Sequence, residues 1–203
     1  MKKVFFLAIA VCTVFAVGAQ EKRYAVESGI VKNKSTMMGQ DIVTVQYFAD
    51  YGAKESSETI MKMQGQEFLT FTMVKDGYAY MANLTAKQGN KVKLSDMGDF
   101  RNINFLALTD DVKQKYKIEE KGSGKVLDRE CKKYDLTYTA QGQSYKATVW
   151  IWKGLALKAE MDMMGNTVTV EATEITETKD IPESRFELPE GINFTEVNPN
   201  MFQ

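Results

Sequence analysis

Five times in this chain a Gly-Gln or Gly-Asn pair precedes a short alternating run: Gly39-Gln40, Gly65-Gln66, Gly89-Asn90, Gly142-Gln143 and Gly165-Asn166. Asp76-Gly77 adds a sixth turn signal. Glycine as first central residue suits a type II′ turn, whose twist matches that of the strands it joins. The chain therefore reads as a series of β-hairpins, with an antiparallel sheet as its organising element.

The runs between these turns alternate as strands with two unlike faces do. We expect strands over 24–35, 41–51, 57–64, 67–74, 78–85, 91–94, 130–140, 144–152, 155–163 and 167–175. Val43, Val45 and Tyr47 share a face in the second run. In 155–163, Leu155, Leu157, Ala159, Met161 and Met163 fall on one side, with Ala156, Lys158, Glu160 and Asp162 on the other. One stretch breaks the pattern. Thr109 followed by Asp110 and Asp111 has the form of an N-cap with acidic residues in the first turn, and Leu108, Val112 and Tyr116 recur at helical spacing. That predicts a helix over 110–117, with Phe100, Ile103, Phe105 and Leu106 positioned to cover the sheet. Gly122-Ser123-Gly124 reads as a loop. The three prolines, Pro182, Pro189 and Pro199, all lie in the tail, which reads as extended coil with one short edge strand. The fold class is mainly β (α+β): a curved antiparallel sheet or half-barrel of about 9–11 strands with one or two covering helices.

The N-terminus carries a targeting signal. Lys2 and Lys3 precede an apolar run over 4–17, and Val17-Gly18-Ala19 has the small residues of a cleavage site. The run is too short for a membrane span. We expect residues 1–19 to be a signal peptide and 20–203 a single β domain, periplasmic or secreted, with no transmembrane segment after processing. Ile9-Ala10-Val11 lacks the small pair that lipid modification of Cys12 would need.

Without Lys2 and Lys3, the 26 basic residues fall to 24 against 27 acidic ones. That balance argues against nucleic acid, whose binding rests on clustered Lys and Arg. Cys131 is then the sole cysteine, so no intramolecular disulfide forms. A domain of this size buries roughly 70% of its unfolded surface and must rely on its core.

Histidine is absent, which removes the commonest general base and transition-metal ligand. Neither a Ser-His-Asp nor a Cys-His site is available. Gly122-Ser123-Gly124-Lys125 lacks the glycine and the Ser or Thr that a phosphate loop requires. Glu160 and Asp162 share their face with Lys158, the signature of a wet surface rather than of an acid/base pair. These features point away from an enzyme, a metal site or a bound cofactor.

Methionine and aromatics are in surplus, with 12 Met, 11 Phe, 9 Tyr and 2 Trp. Met is flexible and polarisable and suits surfaces that accept varied apolar partners. Trp150 and Trp152 share one face of their strand and Val149 and Ile151 the other, so both faces are apolar. One face is core; the other is covered by the helix or lines a cavity. Candidate lining residues for an apolar ligand site are Trp150, Trp152, Met161, Met163, Phe71 and Met73; ordinary core packing is the competing reading of the same side chains.

Cys131-Lys132-Lys133-Tyr134, the run Val149-Trp150-Ile151-Trp152-Lys153-Gly154-Leu155-Ala156-Leu157, and Arg185-Phe186-Glu187-Leu188-Pro189-Glu190-Gly191 together carry a resemblance. The chain resembles a family of uncharacterised envelope proteins common in Bacteroidetes, itself similar to the outer-membrane lipoprotein carrier group of the LolA/LolB type. The resemblance implies a half-barrel closed off by helix, whose apolar inside holds acyl chains. None of the four mature arginines matches that group's functional arginine. The expected function is a non-catalytic periplasmic binding or carrier protein for a hydrophobic small molecule or acyl chain. The alternatives are a module docking another envelope protein and, with less behind it, an enzyme.

Overall fold

A computed structural model describes residues 22–37, 40–63, 65–94, 103–140, 143–163 and 166–197. The expected signal peptide, 1–19, lies outside the described residues, as does Phe100.

Twelve strands form one open, curved sheet. In chain order they are β1 (Gly29–Met37), β2 (Gln40–Ala49), β3 (Lys54–Met63), β4 (Gln66–Lys75), β5 (Tyr78–Asn83), β6 (Gln88–Lys93), β7 (Glu119–Val126), β8 (Arg129–Ala140), β9 (Gln143–Trp152), β10 (Leu155–Met163), β11 (Asn166–Glu177) and β12 (Phe194–Glu196). Helix α1 spans Asp110–Tyr116. The spatial order is β12-β6-β5-β4-β3-β2-β1-β11-β10-β9-β8-β7. Two antiparallel meanders, β1–β6 and β7–β11, thus meet where β1 pairs with β11. The half-barrel expected from the sequence is what forms. The tail supplies the expected short edge strand, β12, which runs parallel to β6.

The hairpins are present, but their turns differ from expectation. Lys75 pairs with Tyr78, leaving Asp76 and Gly77 at φ 51° and 78°. Trp152 pairs with Leu155, leaving Lys153 and Gly154 at φ 51° and 87°. Positive φ at both central residues is type I′, not type II′, and glycine takes the second position. Gly65, at φ 78°, is likewise second, since Met63 pairs with Gln66. Gly39, Gly142 and Gly165 lie outside the described residues, between the pairs Met37–Gln40, Ala140–Gln143 and Met163–Asn166.

Two glycine signals are not turns at all. Gly89 and Asn90 lie within β6, opposite Ala82 and Met81. The turn is instead 84–87, where Asn83 Oδ1 accepts from the Ala86 amide at 2.8 Å. Glycine is needed at 89 because a Cβ there would lie 2.7 Å from the Phe194 ring and 2.8 Å from Ile192. Gly122-Ser123-Gly124, expected as a loop, lies in β7. The register shifts between Glu120 and Ser123, a bulge that uses Gly122 at φ 90°. A Cβ on Gly124 would lie 2.8 Å from Trp150 Nε1.

Helix α1 starts as the sequence predicts. Thr109 is the N-cap, its Oγ1 accepting from the Val112 amide at 3.3 Å, and Lys117 at φ 49° ends the helix. Val112 and Tyr116, with Ile103, Phe105, Leu108 and Ile118, pack on Tyr134, Leu136, Ala147, Val149 and Ile151 of β8 and β9. A second cluster joins Tyr24, Val26, Val31, Phe48, Leu155, Leu157 and Ala172 near the seam of the two meanders. A third packs Leu188, Ile192 and Phe194 of the tail over Phe71, Met73 and Ala82.

Candidate functional site

Strand register sorts the side chains into two faces. On β4, Thr70 and Thr72 fall on one face and Phe71 and Met73 on the other. The pairs Ser57–Thr72, Gln46–Ser57, Thr44–Thr59 and Asn33–Thr44 carry the Thr72 face across β3, β2 and β1. Beyond the seam, Ala159 pairs with Val170 and with Val149, and Met161 with Val168 and Ala147. This is the inner face of the sheet.

A groove of about 470 Å³ runs along it, a size within the range of small-molecule sites. One wall is apolar: Leu157, Ala159 and Met161 of β10, Val170 of β11, and Ile103 and Phe105 of the segment before α1. The facing wall is largely polar, with Asn33, Thr44, Gln46, Ser57, Thr59 and Thr72 alongside Val74, Ala79 and Leu94, and Lys158 of β10 also borders the groove. Thr44 and Thr59 bond to each other through their hydroxyls at 2.9 Å.

The segment before β1 closes one end. Its backbone bonds to the β2–β3 turn, Arg23 N and Tyr24 N both donating to Tyr51 O at 3.0 and 3.1 Å, and to the β9–β10 turn, Ala25 N donating to Lys153 O at 2.9 Å. Glu55 gathers the polar groups there. It accepts from Arg23 Nη1 at 2.9 Å, from the Tyr24 hydroxyl at 3.0 Å and from Gln46 Nε2. The Tyr24 ring meets Phe48 edge-on at 5.2 Å. Burial pushes the Tyr24 hydroxyl well above its ordinary pKa, and the Glu55 charge adds to the rise. Tyr24 is therefore a hydrogen-bond donor that stays protonated. Glu55 and Arg23 neutralise each other, so the groove presents no net charge at this end.

The six residues singled out from the sequence are not brought together. Met161 lines the groove. Met163 shares its strand, but its side chain lies outside the described residues. Phe71 and Met73, 5% and 3% exposed, alternate to the outer face and lie beneath the tail. Met73 also borders the groove, although its side chain belongs to the tail-covered cluster. Trp150 and Trp152 lie on the outer face of the other meander, flanked by cations. Lys133 and Lys158 sit 4.8 and 4.9 Å from the Trp150 ring, and Arg129 and Lys153 sit 4.3 and 4.6 Å from the Trp152 ring. The groove residues that sequence reasoning missed are the Ser, Thr, Asn and Gln of β1–β4. Their alternation reads as an ordinary solvated face, so it gives no signal of a site.

Cys131 is buried, and burial pushes its thiol pKa up. Among the described residues no group of three or more Asp, Glu, Cys or His is placed to hold a metal ion. No helix among them is long and apolar enough to cross a membrane.

No family model matches the chain, and no curated protein matches it in sequence. Solved structures do. A conserved protein from Thermus thermophilus matches with a TM-score of 0.53 at 10% identity, over 85% of this chain and 92% of that one. MucB matches with a TM-score of 0.51 at 14% identity, over 85% of this chain. The chain spans 60% of MucB's length. An outer-membrane lipoprotein-sorting domain from Vibrio parahaemolyticus also matches, with a TM-score of 0.41 at 10% identity, over 81% of this chain and 91% of that one. At these identities the first two likenesses establish a shared fold.

Proposed function

We propose that this chain is a non-catalytic binding or carrier protein of the cell envelope, holding an apolar or acyl-type ligand in the inner groove. The observation that carries the reading is the uncovered groove itself. The helix segment seals the inner face over β8 and β9 but leaves Ala159, Met161 and Val170 bordering open space. An apolar wall left open in a folded domain is the common form of a small-molecule site. Residues 1–19 serve in this proposal as the signal that delivers the domain to the periplasm or cell exterior.

Delipidated protein should bind a fluorescent fatty-acid analogue saturably, at about one per chain. Met161→Glu places a charge on the apolar wall and should weaken binding about tenfold or more, by the cost of desolvating it. Absence of saturable uptake by the unaltered protein sinks the proposal.

A second reading is docking of an envelope protein in place of a small ligand. MucB has been solved in complex with MucA, and a partner segment could occupy the same groove here. Native pull-down from the envelope discriminates: a stoichiometric protein without lipid favours docking.

A further inference from the structure

The groove has two unlike walls, and a plain hydrocarbon fits only one of them. Ser57 and Thr72 are directly opposite each other on β3 and β4, and Asn33 lies two strands away opposite Thr44. All three border the groove. Among the described residues, the side chains of Asn33, Ser57 and Thr72 have no hydrogen-bond partner within the protein. Thr44, Thr59 and Gln46 beside them are already bonded to protein groups. The wall therefore holds one free amide and two free hydroxyls among satisfied neighbours.

These free groups now face water. A hydrocarbon laid over them would strip that water and leave them unsatisfied, at about 1–3 kcal/mol each. An occupant that replaces the water's hydrogen bonds avoids that cost. A charged occupant finds no uncompensated counter-charge: Lys158, which also borders the groove, is paired with Glu160 at 3.1 Å and Glu171 at 3.6 Å. The one ion pair at the groove's end, Arg23–Glu55 at 2.9 Å, is internally compensated.

We infer that the groove takes an uncharged amphiphile. Its hydrocarbon lies against Ala159, Met161 and Val170, and its hydroxyl or amide groups lie against Asn33, Ser57 and Thr72. This rests on the binding function proposed above and narrows its ligand class, from any acyl chain to one joined to a neutral polar group. A free fatty acid meets only half of the site.

The test compares three probes of equal chain length below their micellar concentrations: decyl maltoside, decanoate and decanesulfonate. Calorimetric titration of the full mature chain should give the maltoside an affinity about tenfold or more above the two anions, because it alone satisfies the polar wall. Ser57→Ala and Thr72→Val should each weaken the maltoside about fivefold and leave decanoate unchanged. Met161→Glu should weaken all three probes. Equal affinities for the three, or Ser57→Ala and Thr72→Val leaving the maltoside unaffected, overturn the inference while the binding function stands. Tighter binding of the anions overturns it as well. No binding of any probe overturns both.

Discussion

The two meanders of this sheet are built alike and covered on opposite faces, one by the helix segment and one by the tail. In β7–β11 Tyr134, Leu136, Ala147, Val149 and Ile151 face inward and meet the helix segment, while Trp150 and Trp152 face out among Lys133, Lys158, Glu160 and Asp162. In β3–β5 Phe71, Met73 and Ala82 face outward, where they meet the tail, while Ser57, Thr59, Thr70 and Thr72 face in, in company with Met61, Phe68, Val74 and Met81. One sheet thus carries apolar clusters on both of its faces. That placement of the two covers leaves the groove open. Each covering segment packs on an apolar patch of its own half, and neither crosses the band of Asn33, Thr44, Gln46, Ser57, Thr59 and Thr72 on the inner face.

Substitutions can break or sharpen this comparison. Leu136 is 2% exposed on the sealed inner face, and Leu136→Ala should destabilise by about 2–5 kcal/mol in denaturant titration. An effect below about 1 kcal/mol would mean that the helix segment does not hold a packed core there. On the outer side of the same meander, Gly124→Ala drives a methyl to 2.8 Å from Trp150 Nε1. That should cost about 1–3 kcal/mol by overpacking, with a shift in tryptophan fluorescence marking the displaced ring. The helix cap is worth less: Thr109→Ala should cost about 1 kcal/mol, read as a drop in Tm. Thr72→Val, on the open inner face, should change stability by no more than about 0.5 kcal/mol. A large loss from that substitution would place Thr72 in a packed core and remove the contrast between the halves.

Much of the architecture is legible in the sequence, since hairpin spacing, the Thr109 cap and the edge strand in the tail depend on local chemistry. The face assignment is not local. Alternation at Phe71 and Met73 reveals an apolar face and a polar one, yet says nothing of which side the tail will cover, because Phe194 docks there from the far end of the chain. The same holds for Trp150 and Trp152, whose strand shows the right pattern and no direction. Met161 is recoverable because the opposite face of its strand is plainly charged. Gly89 and Gly124 mislead for a related reason. Their glycines answer to Phe194 and Trp150, which approach from other segments rather than from a turn.

The seam between β1 and β11 has a consequence for how the molecule is made. Lys32 on β1 bonds to Glu174 at a separation of 142 residues. During synthesis β1 emerges well before β11 and waits, one edge unpaired, until β11 has left the ribosome. Such distant pairing is slow to nucleate, and a waiting strand is an invitation to a neighbouring chain. The lysines at 32 and 34, facing outward on β1, are the kind of charge that discourages that intruder until β11 arrives.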